Sequence, residues 1–207
     1  MSEQEGVIKF DLSFNPAQPE LDHDYSDLNH WQQILKQTKI LGQDDNRYYG
    51  LGFGNLSQRL SDDSFLISGT QTGMLDRLEP EHYARVLSVD LTANRVRAQG
   101  SIKPSSESLT HAAIYQLDHD IEFVFHIHSP DIWKNRKALS LPETAADIPY
   151  GTTEMALAVR RLSDAGAFRQ QGILAMAGHE DGIISFAETA SPAGQVILDR
   201  LSLARHL

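Results

Sequence analysis

The chain has 207 residues, enough for one substantial hydrophobic core without division into two folding units. Apolar residues make up 41% and charged residues 22%, and the formal net charge is -10. Such a balance argues against a broad nucleic-acid surface, yet it leaves room for a small anionic substrate in a local pocket. Cysteine is absent, which excludes disulfides, thiolate zinc sites and thiol catalysis and fits a cytoplasmic setting. No apolar run approaches bilayer-spanning length, and the N-terminus lacks the basic-then-apolar order of a secretory leader, so no membrane association is expected.

Residues 1–24 are polar, carry Pro16 and Pro19, and read as a loosely structured arm. Residues 25–207 read as a single domain. Ser26 or Asp27 is placed to cap a helix in which Leu28, Trp31 and Leu35 recur at helical spacing, with Gly42 as its stop. Trp31 is expected in the core. Asn55–Leu60 and Ser64–Ser68 flank a Ser61-Asp62-Asp63 turn and predict a hairpin. Ala84–Asp90 and Arg95–Gln99 predict another, about the turn at Thr92-Ala93-Asn94. A helix is expected from Ser106, a strand over Ile121–His128, and a helix capped by Thr152 or Thr153 that runs to about Leu162. Ile173–Ala177 and Gly182–Phe186 read as strands around a Gly178–Asp181 turn. A terminal helix spans Ser191 to Leu207, with Pro192 in its first turn. No βαβ period is visible, so an α/β fold with helices covering a largely antiparallel sheet is predicted. Internal repeats and low-complexity segments are absent.

The sharpest chemical signal is Ile121-Glu122-Phe123-Val124-Phe125-His126-Ile127-His128. Strand side chains alternate between faces. Ile121, Phe123, Phe125 and Ile127 then share one face; Glu122, Val124, His126 and His128 share the other. Two imidazoles two residues apart can converge on one metal ion. The same pattern also suits two hydrogen-bonded histidines on a polar sheet face, and spacing alone leaves both readings open. His179, in Ala177-Gly178-His179-Glu180-Asp181-Gly182, is available as a third ligand or as a plain turn residue. His111, on a helix after Glu107, is a weaker competitor. Three histidine ligands would leave a coordination position open for substrate.

Glu107 follows Pro104-Ser105-Ser106 at a helix start. It could serve the helix dipole, ligate a metal or act as a general base. The serines and the helix N-terminus offer donors to an anion. Gly54-Asn55-Leu56-Ser57 and Ser68-Gly69-Thr70-Gln71-Thr72-Gly73 are small-residue turns able to surround a phosphate or carboxylate with N–H and O–H groups. No Gly-Lys-Ser/Thr run follows, so neither is a P-loop.

In order, the blocks Gly54–Ser57, Ile67–Thr70, Pro104–Glu107 with His111, Val124–Pro130, Ile148–Thr152 with Glu154 and Ala156, and Gly178-His179 resemble the class II aldolase/adducin superfamily. Its enzymatic members include aldolases, 4-epimerases and dehydratases of sugar phosphates. The resemblance runs from about residue 26 to residue 187. It implies a three-layer α/β/α sandwich around a central, mostly antiparallel sheet, and a homotetramer with active sites between subunits. By the same resemblance His126, His128 and His179 hold one divalent ion, with zinc as the expected identity, and Glu107 is the acid/base. Asn55, Ser68, Gly69, Ser105 and Ser106 line the phosphate site. The implied activity is that of a metal-dependent lyase acting on a small hydroxylated carbonyl compound, a sugar phosphate, through a stabilised enediolate. Dehydration or 4-epimerisation would use related chemistry, and an adducin-like binding role would need none.

Three departures stand out. The family often has Asn-His-Gly at the third ligand, where this chain has Gly178-His179-Glu180-Asp181-Gly182, so Glu180 or Asp181 could orient His179. No tyrosine follows Tyr150, although aldolase and epimerase members often use a C-terminal one. Asp131–Arg136 is bulkier than the small-residue helix usual there and could reshape the pocket.

Overall fold

A computed structural model of the chain describes residues 6–19, 22–164, 166 and 170–207. Eight strands form one sheet: β1 (Asp11–Pro16), β4 (Asn55–Arg59), β5 (Phe65–Ser68), β6 (Tyr83–Asp90), β7 (Arg95–Gly100), β8 (Phe123–His128), β9 (Ile173–Ala175) and β10 (Gly182–Ala187). Their order is β1-β7-β6-β5-β4-β8-β10-β9, while β2 (Gly42–Gln43) and β3 (Gly52–Phe53) form a small separate pair. Every neighbouring pair in the large sheet is antiparallel except β1 with β7. The helices are α1 (Ser26–Gln37), α2 (Ser108–Tyr115), α3 (Pro130–Lys134), α4 (Thr153–Asp164) and α5 (Ala190–Ala204).

Strand alternation divides the core into two layers. Phe123, Phe125 and Ile127 of β8 pack with Leu28, Trp31 and Leu35 of α1 and Ile197 and Leu201 of α5. Val124 packs on the opposite side with Leu109 and Ala113 of α2 and Met155 and Val159 of α4. The expected three-layer α/β/α sandwich with a mostly antiparallel sheet is therefore the observed architecture. Trp31 is the core anchor expected, 6% exposed and 6.2 Å from the Phe125 ring. No helix among the described residues is long and apolar enough to cross a membrane.

Several boundaries differ from the sequence expectation, each for a local reason. The arm is not loose over Asp11–Pro16: it is an edge strand parallel to β7. Leu12 and Phe14 alternate inward onto the α2/α4 layer, and Pro16 is tolerated because the strand is at the edge. Helix α1 begins with the Ser26 N–H donated to Asp24 Oδ1, so neither Ser26 nor Asp27 is its cap. It ends well before Gly42, where Lys39 takes the left-handed φ of 62° and donates its N–H to Lys36 O. Helix α2 starts at Ser108, with Glu107 in the cap position, because Ser105 to Glu107 form a turn. Strand β8 starts at Phe123, and Ile121 packs in the α2/α4 layer rather than with Phe123. The cap of α4 is as expected: Met155 N–H donates to Thr152 Oγ1.

The contact between α1 and α5 depends on a missing side chain. A Cβ on Gly194 would lie 2.1 Å from Trp31 Cε3. Gly194→Ala is therefore expected to overpack this layer and cost about 1–3 kcal/mol in urea unfolding. A Trp31→Leu background should remove much of that cost, and an additive double mutant would contradict the contact as its source.

Candidate functional site

Strand β8 lies between β4 and β10, with Asn55 opposite His126 on one side and Gly182 opposite His128 on the other. This central position buries both histidines. The turn joining β9 to β10 is closed by His179 N–H to Met176 O, Gly182 N–H to His179 O, and Met176 N–H to Gly182 O. Its folding back carries His179 onto the end of β8. The three rings come together, with centroids 4.9 Å apart for His126 and His128, 5.3 Å for His126 and His179, and 4.7 Å for His128 and His179. One ring nitrogen from each lies within 4.8 Å of the others, and His126 Nε2 is 3.1 Å from His128 Nε2.

These donors fit a divalent ion. Burial holds all three imidazoles below the ordinary value of 6.5, His126 at about 4, so they are neutral and ligand-competent. His126 Nδ1 is 3.1 Å from Ile183 O. A carbonyl only accepts, so Nδ1 carries the proton and Nε2 keeps its lone pair facing the other two rings. Ligand nitrogens about 2.0–2.1 Å from a tetrahedral zinc would be separated by a little over 3 Å, close to the His126–His128 spacing.

His111, the competing candidate, stands apart from this group. Its Nδ1 is 2.7 Å from Ser57 Oγ, which is in turn 2.7 Å from the Tyr115 hydroxyl. The network is fully buried on the α2 side of the sheet, where it satisfies Ser57 and Tyr115.

A cavity beside the histidines gathers most of the expected substrate-binding residues. Asn55, Gly69, Ser105, Ser106, Glu107 and His126 line it together. A bridge between Gly69 and Pro104 draws the two turns side by side. A Cβ on Gly69 would come within 2.5 Å of Ile102 Cγ2, so only glycine allows the approach. Asn55 Oδ1 is buried with no hydrogen-bond partner. Glu107 is 2% exposed, and one carboxylate oxygen accepts a 2.8 Å hydrogen bond from Thr110 Oγ1. Ser68 is placed differently: its hydroxyl accepts the Leu56 N–H at 3.1 Å, and it does not line the cavity. No lysine or arginine is among the lining residues, so an anion there would be held by N–H and O–H donors.

The structure also brings in residues that sequence reasoning did not assign. Gly6 lines the same cavity. Lys9 Nζ lies 3.6 Å over the Tyr150 ring, which also packs against His179 at 4.4 Å. Val7 N–H donates to the Tyr150 hydroxyl. The Ile148–Thr152 block was the available signal for Tyr150; nothing in the sequence pointed to Gly6 or Lys9. Asp181, a candidate orienter of His179, accepts a hydrogen bond from the Tyr48 hydroxyl. The bulky Asp131–Arg136 segment does not line the cavity. Trp133 Nε1 instead donates to Met176 O, at the start of the His179 turn.

Comparison with known proteins identifies the family and the fold. Residues 33–195 match the family described as Class II Aldolase and Adducin N-terminal domain. A 3-oxo-tetronate 4-phosphate decarboxylase from Haemophilus influenzae is 32% identical over 100 residues, covering 46% of this chain and 44% of the relative, so the match spans less than half of that protein. The fold is similar to L-fuculose-1-phosphate aldolase from Thermus thermophilus, with a TM-score of 0.64 and 18% identity over 88% of this chain and 91% of that one. It is also similar to a sugar-phosphate aldolase from Thermotoga maritima, with a TM-score of 0.66 and 13% identity over 86% of this chain and 90% of that one. YgbL from Escherichia coli, a putative aldolase/epimerase/decarboxylase, gives 0.61 and 18% identity over 86% of this chain and 85% of its own. With most of its length matched, the chain belongs to the class II aldolase and adducin N-terminal domain family.

Proposed function

We propose that the chain is a metal-dependent lyase of the class II aldolase type, acting on a small hydroxylated carbonyl compound that carries a phosphate. The observation that supports this reading most directly is a cluster of three buried neutral imidazoles, one of which, His126, lines a cavity together with Glu107 and the two small-residue turns. His126, His128 and His179 would hold the ion. Zinc, the expected identity, would supply a Lewis acid to the substrate's hydroxyl and carbonyl oxygens and spread the negative charge of the enediolate.

The remaining roles fall to the chain's own groups. Glu107 would take the proton from the substrate hydroxyl as the carbon–carbon bond breaks, and return a proton to the enediolate carbon. Thr110 orients the Glu107 carboxylate for both transfers. Asn55, Gly69, Ser105 and Ser106 would position the phosphate, so the reacting carbons are set by a group that does not react. Ser68 supports this wall from behind through Leu56. Decarboxylation of a 3-oxo acid phosphate, the activity named for the Haemophilus influenzae relative, is the second reading. It also breaks a carbon–carbon bond next to a carbonyl and leaves the same kind of anion. Dehydration and 4-epimerisation rank below it, and an adducin-like binding role, which would not need the intact histidine set, ranks last. Residues 25–207 would act as one domain, in a homotetramer in the cytoplasm. Exposed Tyr49 and Met74 are large apolar side chains that such an assembly could cover.

Product analysis on phosphorylated ketoses and 3-oxo acids distinguishes cleavage, decarboxylation and epimerisation. Glu107→Gln should retain bound metal and fold, while turnover falls at least about 100-fold, the low end of general acid–base contributions. Full activity in that variant would remove Glu107 from the chemistry. His126→Ala and His128→Ala should each lose stoichiometric metal on dialysis, measured by elemental analysis.

The histidines also predict a pH response of the metal-free protein. Their folded values lie below 6.5, so the unfolded chain binds more protons as the pH falls. Their neutral burial is compatible with full stability above pH 6.5, and that stability is lost as pH falls through the folded values, about 4 for His126. Urea midpoints of chelator-treated protein should therefore drop between pH 7 and pH 5, and His128→Gln should flatten the drop. A midpoint independent of pH over this range would contradict neutral burial.

A further inference from the structure

Tyr48 stands between the two segments that carry His128 and His179. Its ring meets His128 edge-on, with centroids 4.7 Å apart, and packs against Phe53 at 5.1 Å. Its hydroxyl donates to Asp181 Oδ2 at 2.6 Å, two residues beyond His179 in the same turn. Arg47 completes the connection. Its guanidinium donates to the Tyr48 hydroxyl at 2.8 Å and to the His128 backbone oxygen at 3.2 Å. The turn is tied to β8 a second time, by Ser129 N–H donated to Asp181 O.

The backbone is unusual where this happens. Tyr48 and Tyr49 have φ of 49° and 59°, in the left-handed region that a side chain with a Cβ occupies at a cost in free energy. Asp181, at the other end of the hydrogen bond, has φ of 63°. Left-handed residues therefore meet at one bond, and such strain persists where surrounding contacts fix it. Tyr49 is 75% exposed, and the hydrogen bonds to Asp181 and Arg47 are made by Tyr48.

We propose that Tyr48 is a positioning residue of the candidate metal centre, clamping the His128 ring with its own ring and the His179 turn with its hydroxyl through Asp181. The inference rests on the three-histidine metal reading above. It assigns a function to Asp181, one of the two acidic residues that follow His179. It also gives the chain a tyrosine at the site that approaches from the β2–β3 side, with no tyrosine following Tyr150. The Tyr48 hydroxyl is occupied by Asp181 and Arg47 and does not line the cavity, so it orients ligands and does not donate to substrate.

Zinc affinity is measured by competition with a chromophoric chelator, and the ligand field by the visible absorption of cobalt-substituted protein. Tyr48→Phe removes only the hydroxyl and should weaken zinc binding about 10–100-fold, with a changed cobalt spectrum. Asp181→Ala removes the same bond from its other end, should Tyr48→Phe fold poorly. The double variant should bind zinc about as well as the weaker single, because both remove one interaction. Tyr49→Phe should bind like the unaltered chain. The clamp is overturned by zinc affinity and a cobalt spectrum unchanged in Tyr48→Phe, even with a lower melting temperature, since a purely structural role would move stability alone. Equal weakening in Tyr49→Phe would also overturn it. If the unaltered chain binds no zinc or cobalt, the metal reading fails and the clamp with it. Unaltered binding with an insensitive Tyr48 sinks only the clamp.

Discussion

Burial of three imidazoles in one cluster, at the end of an interior strand and the turn folded back onto it, is the constraint that governs the structure. A buried cation without a partner is prohibitively costly, so the rings must be neutral, and each nitrogen then has to be a donor or a lone pair. Ile183 O settles this for His126 by accepting from Nδ1. The other two rings are packed by aromatic neighbours. Tyr48 and Phe53 pack against His128, and Tyr150 packs against His179. Aromatic walls thus hold the rings of the site, and walls that fix ligand side chains lower the cost of binding.

The sheet makes this arrangement possible in space. One face of β8 is apolar and packs against α1 and α5, which fixes the strand without help from the histidines. The opposite face can then carry His126 and His128 beside the helix-bearing layer. Glu107 reaches the same region from the start of α2, where the turn through Ser105 and Ser106 presents its residues to the cavity. Small residues do the remaining work. Gly69 permits the approach of the Ile102–Pro104 segment, and the resulting wall is lined by backbone and hydroxyl groups instead of cationic side chains. A chain with net charge -10 can hold an anion in such a place because the donors are local and directed.

The N-terminal segment adds a component outside the span matched to the family. Strand β1 extends the sheet by one parallel edge strand, and Phe10 enters the core beside it. From there Lys9, Val7 and Gly6 run to the cavity, touching Tyr150 on the way. The ammonium of Lys9 and the imidazole of His179 lie against the same ring, and the nearby positive charge helps keep His179 neutral. A segment that read as a loosely structured polar arm in the sequence therefore contributes Gly6 to the cavity wall.

Periodicity made the two hairpins, the β8 strand and the terminal helix legible in the sequence, because alternation and turn residues are local properties. The order of the small-residue and histidine blocks made the family legible, since that order survives where identity does not. His126 and His128 could be placed on one strand face by spacing alone, and Glu107 at a helix start by its serine-rich approach. His179 could not be told from a plain turn histidine by spacing, for a ligand so far along the chain is brought in by the return of a hairpin. The positions of Tyr48, Tyr150, Lys9 and Gly6 beside the histidines and the cavity were likewise decided only in three dimensions. Their contacts join segments far apart in the chain, and Ser68 turned inward because its neighbour Leu56 needed an acceptor. The sequence by itself determined which side chains could do the chemistry; the tertiary structure decided which of them meet, because convergence is set by strand pairing and packing across the whole sheet.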